Sequence, residues 1–173
     1  MDESGASLKP PVSSTWAPRG CTPLIEYNFN WKKLSTAGFL CYRADNRAHD
    51  VFFQIRAGSY ASEEVIEALK AFKKQMGRRR CVLVWDMLPA HRSRQVKEYL
   101  EGQRSWLQIE WLPGYAPELN PVEQVWSNVK GGELANFCAR EIKDLEAALQ
   151  AGLRRVSRSN LPKSFLRHAG LFL

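Results

Sequence analysis

The chain has 173 residues and a net charge of +7, with 45% hydrophobic and 25% charged residues. These values are typical of one globular domain with a buried core. The excess of Lys and Arg favours a polyanionic partner, because basic side chains neutralise phosphates. Since no apolar run approaches the roughly 20 residues of a membrane span, and the first residues lack a signal peptide's features, we expect a cytoplasmic protein without a membrane partner.

The first half of the chain is predicted to contain a loop, a hairpin of two strands and a helix. Prolines and glycine predict a loop over residues 3–23. Residues 34–42 and 51–55 are rich in apolar and aromatic side chains, which predicts two antiparallel strands joined by a polar turn at 43–49. Ser62 is the predicted N-cap of a helix, whose apolar stripe continues to Gln75.

The second half of the chain alternates strands with helices. The apolar run at 81–85 predicts a buried parallel strand. A strand at 107–112 and helices at 91–103, 120–130 and 141–156 are also predicted. Strands separated by helices pair in parallel, whereas a hairpin is antiparallel. The expected fold class is therefore α/β, with a mixed sheet flanked by helices.

Two acidic residues allow both a functional and a structural interpretation. Asp86 follows the predicted strand 81–85, at the edge where α/β sheets bind ligands. Asp86 is equally suited to begin the turn before Pro89. Glu123 follows Asn120 by three residues, which is the spacing of a capping box. A carboxylate in the first turn of a helix also projects outward and can bind a metal ion.

Two longer segments resemble motifs of the mariner-like DDE transposases, in their bacterial insertion-sequence branch. Val82-Leu-Val-Trp-Asp-Met-Leu-Pro-Ala-His-Arg-Ser93 is similar to the motif of the second Asp. Leu112-Pro-Gly-Tyr-Ala-Pro-Glu-Leu-Asn-Pro-Val-Glu-Gln-Val-Trp-Ser-Asn-Val-Lys130 is similar to the motif of the third acid, at close to the family's spacing. Asp2-Glu-Ser-Gly5, together with residues 15–23, resembles the segment that begins at the first Asp. The resemblance covers nearly the whole chain.

The resemblance implies a single catalytic domain over residues 1–173, with a ribonuclease-H-like fold whose first strand is truncated. The family's N-terminal helix-turn-helix DNA-binding domains are absent from this sequence. Asp2, Asp86 and Glu123 match the three catalytic acids, which would bind two ions of Mg²⁺ or Mn²⁺. The implied activity is metal-dependent cleavage of DNA phosphodiesters and strand transfer, as in DNA transposition.

Several other residues have weaker assignments. Glu3 competes with Asp2, but neighbours on a strand face opposite sides and the resemblance favours Asp2. His91 and Asn120 are candidate supporting residues, but the pattern favours a helix start for His91 and a helix cap for Asn120. Trp126 is predicted to pack in the core. The basic residues expected to contact DNA are Lys130, Arg154, Arg155 and Arg158.

DNA is the expected partner, both as element ends and as target. A second copy of the chain and a DNA-binding polypeptide from an upstream reading frame are further candidates. The expected location is the cytoplasm, in association with the nucleoid. The alternative function is that of a catalytically inactive, truncated remnant of a transposase that binds DNA or dimerises.

Overall fold

A computed structural model describes residues 1–27, 32–43, 49–114 and 116–170 of the chain. Within these residues the strands are β1 (Asp2–Ser7), β2 (Lys33–Tyr42), β3 (His49–Ala57), β4 (Cys81–Trp85) and β5 (Leu107–Trp111). The α-helices are α1 (Ser62–Met76), α2 (Arg94–Glu101), α3 (Val122–Gly131), α4 (Ile142–Arg158) and α5 (Leu161–His168). A short 3₁₀ helix, Pro117–Leu119, precedes α3.

Strand β1 corrects the loop predicted over residues 3–23. It pairs with β2 along its whole length, from Asp2 opposite Gly38 to Ser7 opposite Lys33. The small and polar residues of this segment have low strand propensity, so pairing with β2 decides its conformation. After Ser7 and through residue 27 the chain forms no further helix or strand, as the prolines predict.

The strands form two hydrogen-bonded sheets. The order β1-β2-β3 is antiparallel, and β4 pairs in parallel with β5. The sheets meet where the Met1 ammonium donates a hydrogen bond of 3.1 Å to the carbonyl of Val84 in β4. Asp2 therefore lies beside this junction. The predicted β2–β3 hairpin is confirmed, but residues 44–48 of its predicted turn lie outside the described residues.

Side chains alternate along β2 between two apolar cores, which places helices on both faces. Ala37 and Phe39 pack in the core that includes Leu69 of α1. Leu34 packs in the other core, with residues of α3, α4 and α5 such as Leu153. The mixed α/β architecture is thus as predicted. Within the described residues, no helix combines the length and apolarity needed to cross a membrane.

Helix boundaries differ from the predictions where local capping decides them. Helix α1 has Ala61 at its N-cap, so Ser62 is its first helical residue and not its cap. Helix α2 begins at Arg94, later than predicted, because the hydroxyl of Ser93 accepts the N–H of Val96. Helix α5 was not predicted.

Candidate active site

Asp2, the first predicted catalytic residue, is buried in β1 with 5% of its surface exposed. Its Oδ2 accepts a hydrogen bond of 2.8 Å from the indole N–H of Trp126 in α3. Asp2 is therefore held between the sheet and α3, next to the junction of β1 with β4.

The surroundings of Asp2 oppose its ionisation. Burial raises the pKa of Asp2 from its ordinary value of 3.8 to about 6. The N–H of Trp126 lowers this pKa, whereas the negative charges of Glu123 and Glu3 raise it. The first and third predicted acids are thus near enough to repel each other. A cation beside Asp2 would offset both the cost of burying its charge and its repulsion by Glu123 and Glu3.

Asp86, the second predicted acid, follows β4 and is 31% exposed at its side chain. Its Oδ1 lies 2.6 Å from Nδ1 of His91. The same oxygen accepts the backbone N–H of Leu88 at 3.1 Å. The turn and His91 thus fix one carboxylate oxygen of Asp86, Oδ1.

His91 is buried and connects Asp86 to β1. Its Nε2 lies 2.9 Å from Oε2 of Glu3, and its ring stacks on Trp85 with centroids 4.0 Å apart. Burial lowers the pKa of His91, but the hydrogen bond and charge of Glu3, followed by Asp86, outweigh burial and raise it overall. Each ring nitrogen faces one carboxylate, so the protonated ring can donate to both. His91 therefore links β1 to the turn after β4, and its raised pKa favours the cationic form.

Glu3 and Asp2 have different partners, as the alternation of a strand requires. Asp2 contacts Trp126 in α3, whereas Glu3 contacts His91. The Oε1 of Glu3 is buried without a hydrogen-bond partner among the described residues. Asp2 also couples electrostatically to Glu123.

The predicted capping box at Glu123 is wrong. Helix α3 begins at Val122, and its N-cap is Pro121. Asn120 still caps the segment, since its Oδ1 accepts the N–H of Val122 at 3.2 Å and its carbonyl accepts the N–H of Glu123 at 3.1 Å. The Glu123 side chain is exposed and is not used in capping. The N-terminal end of the helix dipole favours its negative charge.

The three acids fit a divalent cation in chemistry but do not form a closed ligand shell. In the part of the chain that the structure describes, no three His, Cys, Asp or Glu side chains are grouped closely enough to hold a metal ion. Asp2, Asp86 and Glu123 offer oxygen ligands alone, which suits Mg²⁺ or Mn²⁺. Their side chains would have to converge further around an ion.

The predicted DNA-binding residues occupy different environments. Lys130 is half-buried in the last turn of α3 and lines a small cavity against β1. Arg154 and Arg158 are exposed on α4. Arg155 forms an ion pair with Glu133 and donates to Oδ1 of Asn128 at 2.7 Å. Arg155 therefore joins α4 to the end of α3, and its contact with DNA stays a prediction.

Two contacts of the site are not predicted from the sequence: that of Trp126 with Asp2 and that of Glu3 with His91. Trp126 was assigned to core packing alone, and Glu3 only to competition with Asp2. A buried tryptophan usually needs an acceptor for its N–H, which is the signal that pointed to a polar role for Trp126. The partner of Glu3 depends on long-range contact between β1 and the turn after β4, for which the sequence holds no local signal.

Solved structures with the same fold include complexes of Mos1, a mariner transposase. The Mos1 strand transfer complex matches with a TM-score of 0.63 and 16% identity, over 97% of this chain and 52% of that chain. The Mos1 paired end complex with Mn matches with a TM-score of 0.62 and 16% identity, over 98% of this chain and 53% of that one. The chain thus spans about half the length of these structures.

A viral integration complex gives a further match. The simian T-cell lymphotropic virus intasome, in complex with PP2A regulatory subunit B56 gamma, has a TM-score of 0.54 and 17% identity, over 78% of this chain and 45% of that chain. Among curated proteins, none matches this chain significantly. The structural matches confirm the predicted ribonuclease-H-like fold. The family model described as DDE superfamily endonuclease matches residues 1–146, and the chain therefore belongs to this family of endonucleases.

Proposed function

We propose that this chain is the catalytic domain of a transposase, in which Asp2, Asp86 and Glu123 bind two Mg²⁺ or Mn²⁺ ions and support DNA cleavage and strand transfer. The observation that carries the proposal is the position of buried Asp2. Its strand adjoins β4, which leads to Asp86, and its charge is coupled to that of Glu123 in α3. In this proposal, strand, turn and helix supply one acid each to the metal site.

The residues of the chain have separate roles in this proposal. Bound ions would supply activation of the attacking oxygen and neutralisation of the leaving oxygen. Asp2 offers a buried carboxylate whose Oδ2 is oriented by α3. Asp86 is fixed through His91, which supports the site without contacting the reacting atoms. Glu123 is exposed and can approach an ion from the N-terminus of α3.

The comparisons support a divalent cation and DNA as the ligands of this site. The matching Mos1 complexes include paired end complexes with Mn and with Mg. We extend these properties to this chain, together with the element ends and the target DNA as substrates. Lys130, Arg154, Arg155 and Arg158 are the proposed phosphate contacts, because Lys and Arg outside the metal site position the DNA backbone.

The organisation around this domain is also proposed. Residues 1–173 form one catalytic domain, and a separate polypeptide or domain supplies recognition of the element ends. A second copy of the chain would assemble with the first on paired ends, and the complex would act at the nucleoid. The alternative, an inactive remnant of a transposase, is not favoured over this function by the family match.

DNA cleavage by a fusion of this chain to an end-recognising DNA-binding domain tests the proposed function. With Mn²⁺, the fusion protein should nick DNA that carries its recognition sequence. Asp86→Asn and Glu123→Gln should each reduce cleavage to background, whereas Glu118→Gln, at an exposed acid of the same segment, should leave it unchanged. Full cleavage by either of the first two variants would contradict the proposal.

A further inference from the structure

We propose that Trp126 is a positioning residue for Asp2, and that Gly38 leaves the space that its ring occupies. The inference rests on the proposed function of Asp2 as a metal ligand. It assigns to Trp126 a role beyond core packing: its N–H fixes which oxygen of Asp2 is turned toward α3 and which is left for a cation.

The hydrogen bond joins two buried groups. Trp126 is 4% exposed and Asp2 is 5% exposed, and the indole N–H donates to Oδ2 at 2.8 Å. Removing one partner of such a bond leaves the other without a partner in a place that water does not reach freely. The bond therefore restricts rotation of the carboxylate.

Gly38 makes this contact possible. It lies directly opposite Asp2 in the pairing of β1 with β2. A Cβ atom added at Gly38 would lie 2.5 Å from Cη2 and 2.8 Å from Cζ2 of Trp126, which is closer than van der Waals contact allows. Any side chain at position 38 would thus displace the indole ring. A glycine across from Asp2 allows the ring to approach the strand closely enough to reach the carboxylate.

The same hydrogen bond connects the elements that carry two of the three acids, Asp2 and Glu123. Trp126 and Glu123 lie in one helix, about one turn apart. The bond from Trp126 to Asp2 therefore ties the helix that carries the third acid to the strand that carries the first. Hydrogen bonds that orient carboxylate ligands commonly change metal affinity by about 10–100-fold when they are removed.

Mn²⁺ titration calorimetry on the full chain separates positioning from packing. Trp126→Phe removes the donor and keeps an aromatic ring, and it should weaken Mn²⁺ binding about tenfold. Trp106→Phe is the matched control. Trp106 is also buried, but in the other core, and its indole N–H donates to Oε1 of Gln103 at 2.9 Å. The control should show a similar loss of thermal stability with unchanged Mn²⁺ affinity.

A double variant tests the role of Gly38. Gly38→Ala keeps the donor but displaces the indole, and it should also weaken Mn²⁺ binding. The phenylalanine ring is shorter than indole and does not reach the added Cβ. Gly38→Ala combined with Trp126→Phe should therefore bind Mn²⁺ as Trp126→Phe alone does, which is the non-additivity expected of two residues that act through one contact.

NMR of the unaltered protein gives a readout that needs no substitution. The indole N–H signal of Trp126 should shift on saturation with Mg²⁺, and that of Trp106 should not. Unchanged Mn²⁺ affinity in Trp126→Phe, or no shift of the Trp126 signal, would overturn the positioning role while the proposed function stands. Absence of Mn²⁺ uptake by the unaltered chain would overturn both.

Discussion

Replacement of Asp2 by Asn should stabilise the metal-free protein at neutral pH. The carboxyl of Asp2 has its pKa raised to about 6 by burial, with the charges of Glu123 and Glu3 as further causes. A raised pKa means that ionised Asp2 disfavours the folded state. An amide is neutral, and its oxygen can still accept the N–H of Trp126, so Asp2→Asn removes the cost of ionisation and keeps the hydrogen bond.

The size of the effect follows from the difference between the folded and unfolded pKa values of Asp2. A rise from 3.8 to about 6 corresponds to roughly 3 kcal/mol of folding free energy once the group is ionised in both states. For a chain of this length, that free energy raises the unfolding temperature by roughly 5–10 °C. The contribution of Asp2 to stability is complete below pH 4 and is lost as the pH rises through about 6.

Thermal unfolding in the presence of a chelator, from pH 4 to pH 8, measures this difference. The gain of Asp2→Asn over the unaltered protein should be absent near pH 4 and should grow to its full value above pH 7. Glu118→Gln, which neutralises an exposed carboxylate, should show no such growth. If the unfolding temperatures of the two proteins changed in parallel with pH, or if Asp2→Asn were the less stable at pH 8, the electrostatic description of Asp2 would be refuted.

Three further predictions concern packing, the His91 link and the basic surface. Gly152→Ala should lower stability by about 1–3 kcal/mol in urea unfolding, because the added Cβ would lie 2.9 Å from Cγ1 of buried Val129 in α3, besides 2.8 Å from the flexible end of Glu133. Unchanged stability would mean that the α3–α4 contact is looser than described. His91→Gln should flatten the pH dependence of stability. The raised pKa of His91 gives stability that is present in acid and is lost as the pH rises through that pKa. An unchanged pH profile in thermal unfolding would exclude a cationic His91 between Glu3 and Asp86. Arg158→Ala should reduce the salt dependence of DNA binding, measured by fluorescence anisotropy, by about one ion without changing the unfolding temperature. Arg155→Ala should lower the unfolding temperature, measured by calorimetry, because it breaks the ion pair with Glu133. The opposite pattern in the two variants would contradict these roles.

The elements with strong periodicity could be predicted from the sequence, and those fixed by long-range pairing could not. The apolar run of β4 and the amphipathic stripe of α4 lie where their patterns predict. Strand β1 was missed, because its small and polar residues form a strand only through pairing with β2. The start of α3 was misplaced, because Asn120 caps the segment before the helix and Glu123 takes no part.

The candidate site shows the same division. The three acids were identified through the resemblance of their segments to a family, and their roles stay predictions. The contact of Trp126 with Asp2, across 124 positions of the chain, could not be predicted from the sequence, nor could the contact of Glu3 with His91 across 88. Such contacts depend on the packing of α3 and β4 around β1, and the sequence pattern alone does not predict them.

Calorimetric titration with Mn²⁺ tests the central claim most directly. The unaltered chain and Glu118→Gln should take up Mn²⁺, and Asp86→Asn and Glu123→Gln should each lose that uptake. Equal uptake in all four proteins would show that Mn²⁺ binds elsewhere, and it would contradict a metal site formed by Asp2, Asp86 and Glu123.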